Sequence, residues 1–329
     1  MLEISNPLTD PFYNLALEEY CLNNFDDREI LILWQNMPTV VIGRNQNTIE
    51  EINLDYVQEK DIKVVRRLSG GGAVYHDLGN LNFTFIVNDN SGLNRYDFTR
   101  FTRPVINALE KMGVRAEDNG RNDITIEGKK FSGNAQYRRG QRLLHHGTLL
   151  FNSDLEEMVR VLNVDLEKIV SKGVKSVRSR VTNIAEHLTE SADINIFKQI
   201  LTQTIFGDQI HEQYMLNQDE TNAVKRLKEE KYSTWEFVFG TSPPFNLVKK
   251  AQFNWGNIKV HLNIKKGKIE SCIIYGDFFA GKDIAELSRH LYGIEYREEA
   301  IRECLEAVNI SSYLPQIDSE EMVKLLINQ

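Results

Sequence analysis

Apolar positions recur along this chain with two periods, and each period predicts a different element. Tyr13, Ala16, Leu17 and Tyr20 repeat at helical spacing, with Asp10 placed to cap and Pro11 suited to the first turn, so a helix is predicted there. Phe101, Val105, Leu109 and Met112 predict a second helix. Leu155, Met158, Val159 and Leu162 predict a third, with Ser153 and Glu156 in capping-box register. The charged stretch from Asp219 to Glu230 predicts another. Short runs rich in branched and aromatic residues predict strands at 30–34, 39–42, 62–67 and 81–87, and shorter ones at 124–127 and 148–151.

A boundary is predicted near Gly240-Thr241-Ser242-Pro243-Pro244, where glycine and adjacent prolines stop regular structure. Beyond it, Ile258, Val260, Leu262 and Ile264 alternate strictly, Lys266-Gly267 turns the chain, and residues 269–275 return as a second strand. Helical patterns follow around 284–291, 300–308 and 320–326. The expectation is an α+β protein, with a large domain over 1–245 and a small α/β domain over 246–329.

Composition narrows the function. Hydrophobic residues make up 41% of the 329, enough for a substantial core. The 39 basic and 47 acidic residues leave a formal net charge of -8, which argues against a nucleic-acid partner held by bulk charge. Cys21, Cys272 and Cys304 are too few and too scattered for a disulfide framework or a zinc site, and fit a reducing compartment. The chain starts without a basic segment followed by an apolar one, and its apolar runs are too short to cross a bilayer. A cytoplasmic protein with no membrane partner is expected.

Four segments carry candidate chemistry. Arg66-Arg67-Leu68-Ser69-Gly70-Gly71-Gly72-Ala73-Val74-Tyr75-His76-Asp77 sets three glycines between two strands, where backbone N–H groups can face an anion and Arg67 can fork onto phosphate or carboxylate. It lacks the Lys-Ser/Thr ending of a P-loop and the following helix of a dinucleotide fingerprint. Asn122-Asp123 and Lys129-Lys130-Phe131-Ser132-Gly133 offer either a lysine held on a strand beside a glycine-rich loop, with a carboxylate suited to Mg²⁺, or an ordinary charged hairpin tip. His145 and His146 are neighbours on a strand and therefore point to opposite faces, which argues against a shared metal. Lys172–Asn183 is basic, with small residues, and suits a phosphate-covering loop or an ordinary solvated one.

Taken together these residues resemble the lipoate–protein ligase A family. The likeness runs from Val40–Asn47 through Arg66–Asn80, Gly120–Asp123, Lys130–Gly133, His145–Leu150 and Ser176–Asn183 to Trp235–Phe245, in family order over nearly the whole chain. It implies a catalytic domain of the biotin/lipoate ligase type, with a central mixed sheet and an accessory C-terminal domain. It implies a two-step reaction: ATP and lipoate give lipoyl-AMP, and the lipoyl group then passes to a lysine of an apo lipoyl domain of a 2-oxoacid dehydrogenase E2 subunit or of the glycine-cleavage H protein. By the family's pattern Lys130, rather than Lys129, is the catalytic lysine, because it stands directly before Phe-Ser-Gly. ATP or adenylate contacts are implied for Arg67, Gly72, Ala73, Val74, Tyr75, Asn122, Asp123, Lys130, Val177 and Arg178, with Mg²⁺ at Asp123. Lipoate contacts are implied for Ser69, Gly70, Gly71, Lys130, His146 and Gly147. Tyr75 departs from the phenylalanine of many members. The nearest rival of the same fold is an octanoyltransferase or lipoyl-amidotransferase working through a cysteine thioester, but no cysteine lies between His146 and Cys272. A non-catalytic lipoyl-domain-binding protein is the rival from another class, and it would have no use for an adenylation lysine.

Overall fold

Strand pairing organises the computed structural model, which describes the chain apart from residues 27, 90–96, 120–121, 163–179, 208–210, 241–245 and 328–329. The described strands before residue 240 are β1 (Leu2–Ile4), β2 (Ile30–Trp34), β3 (Thr39–Ile42), β4 (Lys63–Arg66), β5 (Val74–His76), β6 (Asn80–Asn88), β7 (Glu117–Asp118), β8 (Asp123–Ile126), β9 (Lys129–Arg139), β10 (Arg142–Leu150) and β11 (Glu212–Tyr214). Eight of them form a mixed sheet in the order β11-β1-β2-β6-β10-β9-β8-β7, and the others a small sheet in the order β4-β3-β5. β1 runs parallel to both neighbours, and the remaining pairs of the large sheet are antiparallel.

The two faces of the large sheet follow from alternation along its strands. In β2, Leu31 and Leu33 point to one face, while Ile30, Ile32 and Trp34 point to the other. In β6, Leu81, Phe83, Phe85 and Val87 join the first face. Helices Thr99–Lys111 and Ile194–Phe206 cover that face through Phe101, Val105, Leu109, Phe197 and Leu201. Helix Pro11–Asn24 packs against the second face through residues such as Leu15 and Leu22, and begins as its sequence predicts: Asp10 Oδ1 accepts from the amides of Phe12 and Tyr13 at 3.0 and 3.4 Å.

Two expectations change. The helix Leu155–Val161 is capped by Asp154 rather than Ser153. Ser153 is held instead by Asn183, whose amide bonds both its N–H and its carbonyl. The strand expected at 148–151 begins at Arg142, because His145, His146 and Gly147 interrupt the apolar alternation without ending the strand. Lys129 and Lys130 open the eleven-residue β9, which puts the lysine on a strand, and the turn before them is Glu127-Gly128, both at positive φ.

The chain divides into two compact units, Met1–Ile42, Ile49–Leu68 and Val74–Val238 in the first, and Gly43–Thr48, Ser69–Ala73 and Phe239–Gln329 in the second. In the second unit, β12 (Leu247–Phe253), β13 (Gly256–Lys265) and β14 (Lys268–Gly276) form an antiparallel sheet. Lys266 and Gly267 make the expected turn with φ of 51° and 76°. Ile258, Val260 and Leu262 pack against Leu287, Ile301, Leu305 and Leu326 of the helices Ile284–His290, Glu298–Ala307 and Ser319–Ile327. The glycine-rich segment belongs to this unit: Ser69 O accepts from Arg44 N at 2.9 Å, and Gly71 N donates to Phe278 O at 3.3 Å. No helix among the described residues is long and apolar enough to cross a membrane.

His145 is the outlier of the first core. Its ring stacks on Phe101 at 4.5 Å and on Phe83 at 5.7 Å, and its nitrogens meet the side chains of Gln136 and Asn134. Burial first, and then the nearby His146, hold its pKa well below the ordinary value. An unfolded chain would protonate this imidazole near pH 6.5 while the folded one does not, so the unfolded state binds more protons and stability falls as pH drops below that point. We expect urea unfolding to show this loss between pH 6.5 and 5, at no more than about 1.4 kcal/mol per pH unit for this one group. His145→Leu should be less stable at pH 7.5 but flatter with pH, and an unchanged slope in the variant would contradict the assignment.

Candidate active site

The second face of the large sheet is polar and nearly dry. Asn82, Thr84 and His146 project from it, and Thr84 stands directly across from His146 in the β6–β10 ladder. Glu18 comes down from helix Pro11–Asn24 and is only 3% exposed. A carboxylate there is tolerated only if its oxygens are bonded. Thr84 Oγ1 donates to Glu18 Oε1 at 2.5 Å, His146 Nδ1 lies 3.0 Å from the same oxygen, and Trp34 Nε1 donates to Thr84 Oγ1 at 2.9 Å. His145 and His146 thus occupy opposite faces, as strand geometry requires.

Arg67 is also buried, 6% exposed, with Nη1 donating to Val41 O at 3.2 Å. Burial pulls its guanidinium down to about 10, against the raising influence of Glu18 and with help from Arg66. It therefore stays cationic at neutral pH.

Lys130 reaches the polar face through an irregularity. Ile124 pairs with Ser132 and Thr125 with Lys130, so Phe131 is the extra residue of a bulge. Phe131 turns into the aliphatic core, fully buried, while Lys130 lies on the same side as Gly133. Gly133 and Ala135 share that side by alternation, and Ala135 pairs with His146, so the lysine and His146 lie on one face. A Cβ at Gly133 would sit 3.0 Å from Lys130 Nζ, so the lysine head passes close over this glycine. The ammonium rests 2.8 Å from Asp123 Oδ1, with 39% of the lysine side chain accessible. The Lys130 backbone is clamped as well: its N–H donates to Arg180 O at 2.7 Å, and its carbonyl accepts from Thr182 N at 3.0 Å.

The other residues singled out from the sequence fall in different places. Asn122 ties β8 to β9, its side chain donating to Asn134 O at 3.1 Å and its carbonyl accepting from Asn134 N at 2.8 Å. Val74 and Tyr75 lie in β5, and burial together with Asp77 keeps the Tyr75 hydroxyl protonated. Gly147 faces the first core, where a Cβ would come 2.3 Å from Asn134 Oδ1 and 2.6 Å from the Phe83 ring, so packing alone demands glycine there. Ser69, Gly70, Gly71, Gly72 and Ala73 lie in the second unit. Val177 and Arg178 lie outside the described residues. Among apolar residues near these segments, Trp34 and Val41 belong to the cluster around helix Pro11–Asn24, while Leu149 belongs to the opposite core. Glu18 and Thr84 escaped the sequence reading. Their signal is a single acidic residue on an otherwise buried helix face and a polar alternation inside an apolar strand.

The cysteines are unsuited to thioester chemistry. Cys21 is fully buried and its thiol is pushed up, by burial and then by Glu18 and Glu220. Burial pushes Cys272 up to about 12, and Cys304 is also raised by burial.

The chain is similar to known proteins over nearly its whole length. Residues 10–206 match the lipoyl protein ligase A/B catalytic domain, and residues 242–326 match the bacterial lipoate protein ligase C-terminus. Lipoate-protein ligase LplJ of Bacillus subtilis (strain 168) is 45% identical, over 99% of this chain and 100% of that protein. The crystal structure of P. falciparum LipL1 in complex with lipoate is similar at a TM-score of 0.82 and 25% identity, covering 100% of this chain and 99% of that one. A bipartite lipoate protein ligase from Thermoplasma acidophilum, from a study of that ligase and its E2 lipoyl domain, is similar at 0.65 and 30% identity, covering 75% and 98%. A lipoate-protein ligase A bound with ATP is similar at 0.61 and 28% identity, covering 73% and 98%. With family domains matched over most of its length and a relative matched end to end, this chain belongs to the lipoate–protein ligase family.

Proposed function

We propose that this chain, an ATP-dependent lipoate–protein ligase, joins lipoate to AMP and then to an acceptor lysine, with Lys130 as the shared cation of both steps. The observation that carries the assignment is the bulge at Phe131, which presents the Lys130 ammonium over Gly133 on the polar face. In the first step a lipoate carboxylate oxygen attacks the α-phosphorus, the bond to the β-phosphate bridging oxygen breaks, and pyrophosphate leaves. Two anionic groups must meet, so a pre-placed cation lowers the barrier. In the second step the acceptor amine attacks the carbonyl carbon, the C–O bond to AMP breaks, and an amide forms. The same ammonium offsets charge on the carbonyl oxygen.

The nucleotide contacts expected of Arg67, Gly72–Tyr75, Asn122, Val177 and Arg178 are proposed on the resemblance, as are the lipoate contacts of Ser69–Gly71, His146 and Gly147. A permanent positive charge at Arg67 supports the first group. Magnesium at Asp123 is proposed on the resemblance: Oδ1 faces the Lys130 ammonium at 2.8 Å, while a quarter of the side chain is accessible. No step here is routed through a metal. The acceptor is proposed to be an apo lipoyl domain of an E2 subunit or the glycine-cleavage H protein, supported by the T. acidophilum ligase and its E2 lipoyl domain. The cytoplasm is proposed as the place of action, on three free cysteines with no disulfide among them.

Lys130→Met keeps bulk and removes charge. It should lower lipoyl-AMP formation by about 100-fold or more, the scale seen when one transition-state donor is removed, while Lys129→Met stays near wild type. The reverse ranking would overturn the lysine assignment. A variant with Cys21, Cys272 and Cys304 all replaced by Ala should still ligate lipoate, with reduced stability from the buried positions. A folded but inactive triple variant would move the chemistry to a thioester.

A further inference from the structure

Five buried asparagines converge on one imidazole that has no assigned role. His76 closes β5 and is 3% exposed. Its Nδ1 lies 3.1 Å from Asn36 Nδ2 and 3.5 Å from Asn82 Nδ2. Both amides are oriented from behind. Asn6 Nδ2 donates to Asn14 Oδ1 at 2.8 Å, and Asn14 Nδ2 donates to Asn36 Oδ1 at 2.9 Å, so Asn36 must turn its NH₂ toward the histidine. Asn80 Nδ2 donates to Asn82 Oδ1 at 2.9 Å, which orients Asn82 the same way. Asn14 Nδ2 also donates to Leu8 O and Gln35 O, which fixes Asn36 as a donor to Nδ1, so Nδ1 accepts and the ring proton sits on Nε2. That Nε2 is buried without a hydrogen-bond partner. A buried N–H left unmade is costly, yet the surroundings hold the ring in the one tautomer that creates it. Burial first, then Arg67 and His146, pull the pKa to about 3, so the ring stays a neutral donor.

The place of this donor narrows what it meets. Asn82, which it touches, projects from the polar face directly across from Thr148, and Thr148 Oγ1 accepts from Gly133 N at 3.1 Å. Lys130 lies over Gly133, two strands away, or roughly 10 Å at the spacing of neighbouring strands. The Arg67 cation is close enough to shift the imidazole. A neutral donor and two cations on one face suit an anionic, oxygen-rich ligand.

We propose that His76 is a further substrate-binding residue, its Nε2–H donating to a carboxylate oxygen of lipoate and, after activation, to the carbonyl oxygen of the adenylate. The inference rests on the ligase reading above and names one more contact of that site. Neutrality is the useful property. An imidazolium would tighten the carboxylate ground state and resist its attack on phosphorus, whereas a neutral N–H orients the oxygen at less cost to its nucleophilicity.

Titration calorimetry without ATP tests this, using lipoate and the dithiolane analogue that ends in a methyl group in place of the carboxylate. His76→Leu should weaken lipoate binding about 10- to 100-fold, the scale of a hydrogen bond to a charged group. The methyl-ended analogue and ATP should bind as to wild type. His76→Gln, which returns an N–H donor near Nε2, should recover most of the lipoate affinity. In imidazole ¹⁵N spectra of the wild type, Nε2 should be the protonated nitrogen from pH 5 to 8 and should shift when lipoate is added. Equal loss of lipoate and the methyl-ended analogue would make His76 structural and overturn the proposal. Loss of ATP affinity alone would overturn it in favour of a nucleotide contact. Unchanged lipoate affinity in a variant that still forms lipoyl-AMP would overturn the contact and leave the ligase intact. A wild type that binds no lipoate would overturn the ligase reading and this inference with it.

Discussion

Polar groups shut away from water are stable only when their bonds are completed, and that requirement governs the catalytic unit. Glu18 is the centre of it. Its carboxylate is held by Thr84 and His146, and Thr84 is in turn held by Trp34. Helix Pro11–Asn24 cannot slide along the sheet without breaking these contacts, so the network fixes the register of that helix while the aliphatic packing around it supplies the bulk of the burial. The opposite face makes no such demand, apart from His145 and its two amide partners. It is a largely hydrocarbon core, and Asn134 and the Phe83 ring leave no room for a side chain at 147.

The same division explains how a lysine is presented to a dry face. Strict alternation along β9 would set Phe131 and Lys130 on opposite faces only by placing Ser132 with Lys130. The bulge breaks this, sending Phe131, Ser132, Asn134 and Gln136 toward the first face and leaving Lys130 beside Gly133 and Ala135. The ammonium is then the long polar head over a stretch of small side chains. Asp123 neutralises it in the absence of a ligand, and a reacting carboxylate and phosphate can take over that role without new burial of charge.

Much of this architecture is legible in the residues. The first helix, its cap, strands β2 and β3, and the hairpin of the second unit follow from periodicity because their local and tertiary preferences agree. β9 is not legible, because its polar residues serve partners on β10 and β8 that periodicity does not see. The cap at Asp154 is missed because Asn183, thirty residues away, claims Ser153. Among the residues proposed for the site, Lys130 and Arg67 stand in motifs, whereas Glu18, Thr84 and His76 draw their meaning from contacts made far along the chain. The glycine triplet stands out in the sequence, but its bonds to Phe278 and Arg44 come only from the folded second unit.

The adenylate route requires direct attack of a lipoate carboxylate oxygen on ATP. Lipoate carrying ¹⁸O in its carboxylate, turned over with ATP and an apo lipoyl domain, reports this through the mass of the released AMP. Attack on the α-phosphorus followed by aminolysis at carbon leaves one carboxylate oxygen on phosphorus, so each AMP should carry a single ¹⁸O. Unlabelled AMP, or ADP and phosphate in its place, would contradict the adenylate route.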